Sequence, residues 1–408
     1  MQDNKIFAKE AVNTGRQREI DVLKTFSIIM MIITHAIDDL FIEYESHLPS
    51  LIIDDYLAQS VGAQGFMVCM GIGIVYSRAV SPKTYAKRGV GLLFTGQLLN
   101  LLRYALPSVL GYGFFGVEEL RKNAFLTFSS DIMQFAGLFF LCMALFAHLK
   151  LKPLSVFAVS VICNIAAMLV KGRIATGNYG LDQLLGLIVS TRTESYFPLM
   201  HWMIYPCFGI LFGSILRHVK DKTAFYGVLL LPCIALFAAY YYVGICIEQP
   251  FFSIFSEWES FTSVSLTDAL MQLPCQVAMF CVAYFVTRKA SDKGMAPVSF
   301  ISKNINRYYC VHSCLIYYLE YCIVYIMTDI KVTPVGCYVA ALVIFLMTTL
   351  IVWLYDRYML SRSKPSDRRR LICNIIILVL SIIVCIWASG GAGEYPNMYN
   401  DYTVLSEG

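Results

Sequence analysis

The chain has 408 residues, 58% hydrophobic and only 15% charged, with a net charge of +4. A soluble domain carries about 25% charged residues, and the mean hydropathy here is +0.62, so a water-soluble core is excluded. The apolar runs are about 17–25 residues long, the length of a bilayer-crossing helix, not the short alternating segments of a membrane barrel.

In chain order, the first 24 residues are polar and basic, with Lys5, Lys9, Arg16, Arg18 and Lys24. No small-residue cleavage site follows a short apolar core, so a cleavable signal peptide is not expected. Apolar spans are predicted at about 22–41, 57–77, 89–110, 131–149, 153–170, 197–216, 224–246, 268–287, 307–327, 334–355 and 371–389. Backbone groups in lipid need internal partners, so these are helices. With the N-terminus in the cytoplasm, the N-terminal arm and alternate loops hold 25 of the 32 Lys and Arg residues, six lie in the opposite loops, and Arg103 lies within a span. That asymmetry is the positive-inside pattern. The expected fold class is therefore all-α: a polytopic membrane helical bundle of about eleven transmembrane helices, N-terminus cytoplasmic and C-terminus outside. Its parts are a cytoplasmic basic arm (1–21), a membrane domain (22–389) and a polar, acidic extracytoplasmic tail (390–408). Short loops and absent targeting signals point to a bacterial cytoplasmic membrane.

The fourteen cysteines mostly sit in apolar runs and read as small packing residues. No C-x-x-C pair suggests a metal site, and neither a Walker motif nor a Rossmann glycine fingerprint is present. Nothing points to a nucleic-acid partner. Any chemistry belongs to the membrane domain.

Ionisable residues at membrane depth are functional candidates. His35 follows Asp21 by 14 residues, or about 21 Å of helix, which puts it in the outer half of the first span. Asp38 and Asp39 follow at i+3 and i+4 and share its face. A carboxylate beside an imidazole fixes its tautomer and raises its basicity, as a general base requires. The plainer alternative is an interfacial histidine with an aspartate pair capping the helix end. Gln97, Asn100 and Arg103 can share one polar face of the third span, and Asp131 and Gln134 open the fourth; packing hydrogen bonds are the ordinary reading of both. The run Tyr196-Phe197-Pro198-Leu199-Met200-His201-Trp202 reads as an aromatic belt that adds a titratable group in His201. His312, five residues past Arg307, is placed on the cytoplasmic side, with an interhelical hydrogen bond the first reading and chemistry the second.

Arg18-Glu19-Ile20-Asp21-Val22-Leu23-Lys24 through Met31 to His35 resembles the first-helix signature of the transmembrane acyltransferase superfamily. The likeness is to its heparan-α-glucosaminide N-acetyltransferase-like branch, with the acyltransferase-3 family a near relative. Phe66-Met67-Val68-Cys69-Met70-Gly71, Asp131 to Gly137, Phe197 to Trp202 with Gly209 and Gly213, and Asn304 to His312 extend it. Four positions depart: Lys24-Thr25 stands for the family Arg-Gly, His201 for a Pro, and Ile305 for a Ser.

The resemblance implies a membrane acyltransferase that moves an acetyl or acyl group from cytoplasmic acetyl-CoA, or another acyl-CoA, to a sugar hydroxyl or amine of an extracytoplasmic or lipid-linked glycan. His35 and His47 become the positions to test, with Asp38 or Asp39 orienting His35. The basic inner rim of Arg18, Lys24, Arg78, Lys87 and Arg88 is expected to hold the polyanionic co-substrate. Asp21, Gln134, His201, Trp202 and His312 are expected to line the substrate cavity. No metal is expected. Membrane lipid and the glycan acceptor are the expected partners, and a homodimer is left open. The rival is a transporter or flippase, which calls for an internal repeat and matched broken helices; no clear repeat is visible.

Overall fold

The computed structural model describes residues 5–40, 47–51, 53, 58–78, 80–170, 174, 176, 179–190, 195–247, 264–327, 332–358 and 367–388. Among these the chain is helical, with two isolated β-bridges and no strand. The expected tail 390–408, most of the outer segment 247–266, and Arg362 and Lys364 lie outside the described residues.

The helices that build the bundle are α1 (Arg18–Leu40), α2 (Ala63–Val75), α3 (Pro82–Asn100), α4 (Leu106–Phe115), α5 (Ile132–His148), α6 (Pro153–Val170), α7 (Ile204–Leu216), α8 (Lys222–Ile247), α9 (Leu266–Thr287), α10 (Asp292–Lys303), α11 (Ile305–Glu320), α12 (Pro334–Tyr358) and α13 (Asp367–Ala388). Each expected span overlaps helix among the described residues. Seven helical stretches among the described residues are long and apolar enough to cross a bilayer: Arg18–Leu40, Pro153–Val170, Leu199–Leu216, Lys222–Ala239, Leu266–Thr287, Pro334–Tyr358 and Arg368–Ala388. The others are shorter or interrupted.

The first helix is the axis of the molecule. It packs against α2, α9, α10, α11 and α12. Accordingly it buries residues around its circumference, from Ile20 and Leu23 through Ile28 and Ile32 to Ala36 and Ile37.

Small residues decide how closely its neighbours approach, as is usual where lipid offers no hydrophobic drive between helices. A Cβ on Gly71 of α2 would lie 1.9 Å from the Pro206 carbonyl oxygen of α7, and one on Gly209 would lie 2.1 Å from that of Val68. These two helices therefore touch backbone to backbone. On the other side, a Cβ at Gly89 of α3 would lie 2.7 Å from the Gly137 oxygen of α5.

Interruptions are repaired by side chains, because backbone groups within a bilayer need partners from the protein. A short helix, Gln59–Val61, breaks from α2 at Gly62. Ser27 Oγ donates to the Val61 carbonyl at 2.9 Å, and the Gln276 amide donates to that of Ser60. A π-helical segment, Leu101–Ala105, joins α3 to α4, and another, Tyr321–Ile326, prolongs α11.

The basic arm is docked rather than free. The Ala8 and Val12 amides donate to the carbonyls of His218 and Arg217 at 2.8 Å, and Lys222 Nζ donates to Gln17 Oε1 at 2.7 Å. Lys222 also pairs with buried Glu19, which accepts from Tyr226 OH at 3.0 Å.

Candidate active site

Two cavities open along α1. The first, at the end carrying the N-terminal arm, measures about 550 Å3 and is lined by five cations, Arg16, Lys24, Arg88, Lys303 and Arg307, against one carboxylate, Asp21. The second, toward the other end of α1, measures about 400 Å3 and is lined by Thr34, His35, Asp38, Asp39, Arg103, Tyr104, Asp131, Tyr196, Phe197, Tyr309 and Tyr317, with Met31, Ala58, Gly62, Ala63 and Ile132.

The second cavity is a junction of six segments: α1, the stretch about Gly62, the π segment, the start of α5, the Tyr196-Phe197 run and α11. Helical period brings His35 and Asp39 together, with Nδ1 and Oδ2 3.4 Å apart. Asp38 lines the same space. Opposite them stands a buried polar network. Arg103, on the π segment, is ion-paired with Asp131, and the two residues are 2% and 6% exposed. Asp131 also accepts from Tyr309 OH at 2.6 Å and from the Ile132 amide at 2.6 Å, capping α5. Arg103 donates to Asn100 Oδ1 at 2.9 Å, and Asn100 donates to the Thr127 and Ser129 carbonyls at 3.1 and 3.0 Å. The guanidinium lies over the rings of Tyr104 and Tyr317, 4.5 and 5.4 Å from their centroids. Extra backbone in a π turn re-aims a side chain; here it sets Arg103 against Asp131. The Tyr196 amide donates to the Ser130 carbonyl at 3.1 Å, which holds the Tyr196-Phe197 wall beside Asp131.

His312 sits beneath this floor. Its ring centroid is 5.9 Å from that of His35 and 5.5 Å from that of Tyr309, and its Nδ1 lies 2.8 Å from the Tyr308 carbonyl oxygen. The sequence reading set His312 nearer the cytoplasmic face than His35; the structure brings the two rings together. The reason is that α11 begins inside the first cavity, where Asn304, Ile305, Asn306 and Arg307 line a polar recess. One turn later Tyr309 already lines the second cavity.

The other expected residues divide. Asp21 lies in the first cavity, held by Arg16 Nε and Ser302 Oγ, each at 2.6 Å. Lys24 and Arg88 line the same wall, and Arg88 also lies 4.3 Å from the centroid of Phe140. Arg18 turns to the α9–α10 corner, donating to the Ala290 carbonyl and to Asp292 at 2.6 Å. Arg78 is exposed after α2, and Lys87 faces a separate lateral groove. Gln134 packs against Gly96 between α3 and α5, one turn along from Asp131. His201 and Trp202 are buried in the core; Trp202 packs on Phe197 and Tyr205, and the His201 carbonyl accepts from Asn164 at 2.9 Å. His47 starts the short helix Leu48–Leu51, with Nδ1 2.8 Å from Ser50 Oγ, which lies 2.9 Å from Tyr338 OH of α12. It is not among the residues that line either cavity.

Sequence reasoning passed over Arg16, Lys303 and Arg307, and gave no role to Tyr104, Tyr309 or Tyr317. Tyr309 and Tyr317 were legible only as two tyrosines eight apart on a helix bearing His312. Their meeting with Asp131 and Arg103 is a tertiary fact.

The helical bundle thus encloses a histidine–carboxylate pair in one polar cavity, with a cation-lined cavity further along the same helix. The family model described as heparan-alpha-glucosaminide N-acetyltransferase, catalytic, matches residues 16–243, more than half of the chain, and the chain belongs to that family. It is thus an integral membrane enzyme of the acetyltransferase kind. No curated protein and no solved structure matches it. The matched region supplies His35, Asp38, Asp39, Arg103 and Asp131, whereas Tyr309, His312 and Tyr317 come from beyond it.

Proposed function

We propose that the protein transfers an acetyl or other short acyl group from acyl-CoA, taken up at the cation-lined cavity, to an amine or hydroxyl of a sugar held in the second cavity, with His35 as general base. The observation that carries this reading is the pairing of His35 with Asp39 in the cavity opposite the Arg103–Asp131 ion pair.

The first cavity suits a polyanion. Its cations outnumber its carboxylate five to one, and neither Lys24 nor Lys303 pairs with a described carboxylate. Clustered cations on low-dielectric walls concentrate phosphate-bearing ligands. Its basic rim also fits the cytoplasmic side under the positive-inside rule, which sets the N-terminus inside and, with eleven spans, the tail outside.

The second cavity suits a neutral or cationic acceptor. Asp38, Asp39 and Asp131 face a single guanidinium. Carboxylates accept from sugar hydroxyls and amines, and aromatic walls such as Tyr196, Phe197 and Tyr317 pack on apolar ring faces.

Asp39 Oδ2, 3.4 Å from His35 Nδ1, favours the proton on that nitrogen, which leaves the Nε2 lone pair as the proton acceptor. As the acceptor nitrogen or oxygen bonds to the thioester carbonyl carbon, Nε2 takes its proton. The C–S bond then breaks, and the thiolate leaves with that proton to give free CoA. A positioned base contributes about 10²–10⁴-fold.

The test is label transfer from acetyl-CoA to glucosamine-type acceptors by purified protein. His35→Ala is expected to lower the rate by about 10²–10⁴-fold while CoA binding, read by calorimetry, persists. Undiminished transfer rules out His35 as the base.

A further inference from the structure

Away from both cavities, α3 and α13 enclose a lateral groove of about 770 Å3. The two helices run in the same direction from the basic end and are pinned further along. There Gln97 Nε2 donates to Ser381 Oγ at 2.9 Å, and Ile377 packs among Phe94, Leu101 and Ala105. Toward the basic end they stand apart. A Cβ at Gly91 would meet nothing within 4 Å, so the floor there is open.

The wall chemistry is graded. Lys83 and Lys87 in the first turns of α3, and Arg370 in the first turn of α13, surround the mouth. Val90, Phe94 and Leu98 form an apolar track beyond them at four-residue spacing. From Lys87 to Leu98 is 11 residues, about 16 Å of helix and about half of a ~30 Å hydrocarbon core. Cations at one end of an apolar track about as long as one leaflet is deep match an amphiphile with an anionic head. A soluble anion leaves the track unused, and a neutral lipid brings no net charge to match the cations.

We propose that this groove binds one anionic phospholipid of the leaflet at the basic end. Its phosphate is held by Lys83, Lys87 and Arg370, and one acyl chain lies along Val90, Phe94 and Leu98. Basic pockets between spanning helices recognise such headgroups. Lys87 and Arg88 are neighbours in sequence but about 100° apart around the helix, so one serves the lipid groove and the other the cation-lined cavity.

The test is native mass spectrometry of the full chain in detergent, titrated with equal phosphatidylglycerol and phosphatidylcholine. One phosphatidylglycerol per chain is expected to be retained in preference. Lys83→Gln with Lys87→Gln is expected to weaken that preference about thirtyfold. Gly91→Phe, which fills the floor and leaves the cations in place, is expected to lower retention of both lipids. Equal retention of the two lipids by the unaltered protein overturns the headgroup contact and needs no variant to fold. Displacement of phosphatidylglycerol by inorganic phosphate alone, or full retention in Gly91→Phe, overturns the seating of the acyl chain.

Discussion

At the scale of single residues, the histidine–carboxylate pair was legible because helical period alone brings positions 35 and 39 together. The network facing it was only half legible. Arg103 and Asp131 stood out as polar groups in apolar runs, but their spacing says nothing of their meeting, and packing hydrogen bonds were the ordinary reading. Their pairing depends on the π turn that re-aims Arg103. His312 lies beside His35 because the polar start of α11 lines the first cavity and the helix then runs on to the second, a packing relation that a linear hydropathy reading does not show. The buried pair carries a stability prediction. Asp131→Asn leaves the Arg103 charge uncompensated, and breaking such a pair costs about 3–5 kcal/mol. Tyr309→Phe removes one hydrogen bond to the same carboxylate, a loss of about 1–3 kcal/mol. Thermal unfolding of the two variants in one detergent is expected to show the larger drop for Asp131→Asn; equal drops show that the ion pair adds nothing beyond the tyrosine contact.

At the scale of elements, long apolar helices were the most legible feature, since about twenty apolar residues have few other fates. The interruptions were not. Gly62 breaks a predicted single span because Ser27 and Gln276 from other helices satisfy the exposed carbonyls. Glycines carried a partial signal: Gly71 and Gly209 belonged to the motifs that marked the family, and the structure gives their physical reason, backbone contact between α2 and α7. Gly209→Val forces a side chain into the Val68 carbonyl, which cannot yield as a flexible side chain does. Overpacking of this kind costs about 1–3 kcal/mol or more, so the variant is expected to show a depleted monodisperse peak in fluorescence-detected chromatography. Gly73→Val on the same helix, where a Cβ meets nothing within 4 Å, serves as the control and is expected to resemble the unaltered protein.

At the scale of the whole molecule, charge asymmetry foretold that cations gather at one end, but not which of them share a cavity. Arg18 and Lys87 turn away to other duties, while Arg16, Lys303 and Arg307 take their places. Two compartments follow one another along α1 with opposite chemistries, one lined mainly by cations and the other by carboxylates and aromatic rings. On α11 they come within a turn of each other, Ile305 facing one and Tyr309 the other. The proposed transfer has donor and acceptor entering from opposite sides of the membrane and meeting at His35. The most direct measurement uses sealed vesicles holding the protein in a single orientation. Labelled acetyl-CoA is supplied only on the side of the N-terminus, and an amino-sugar acceptor only on the other. Label on the acceptor, with CoA released on the donor's side, is the predicted result. Transfer only when both substrates share one side contradicts it.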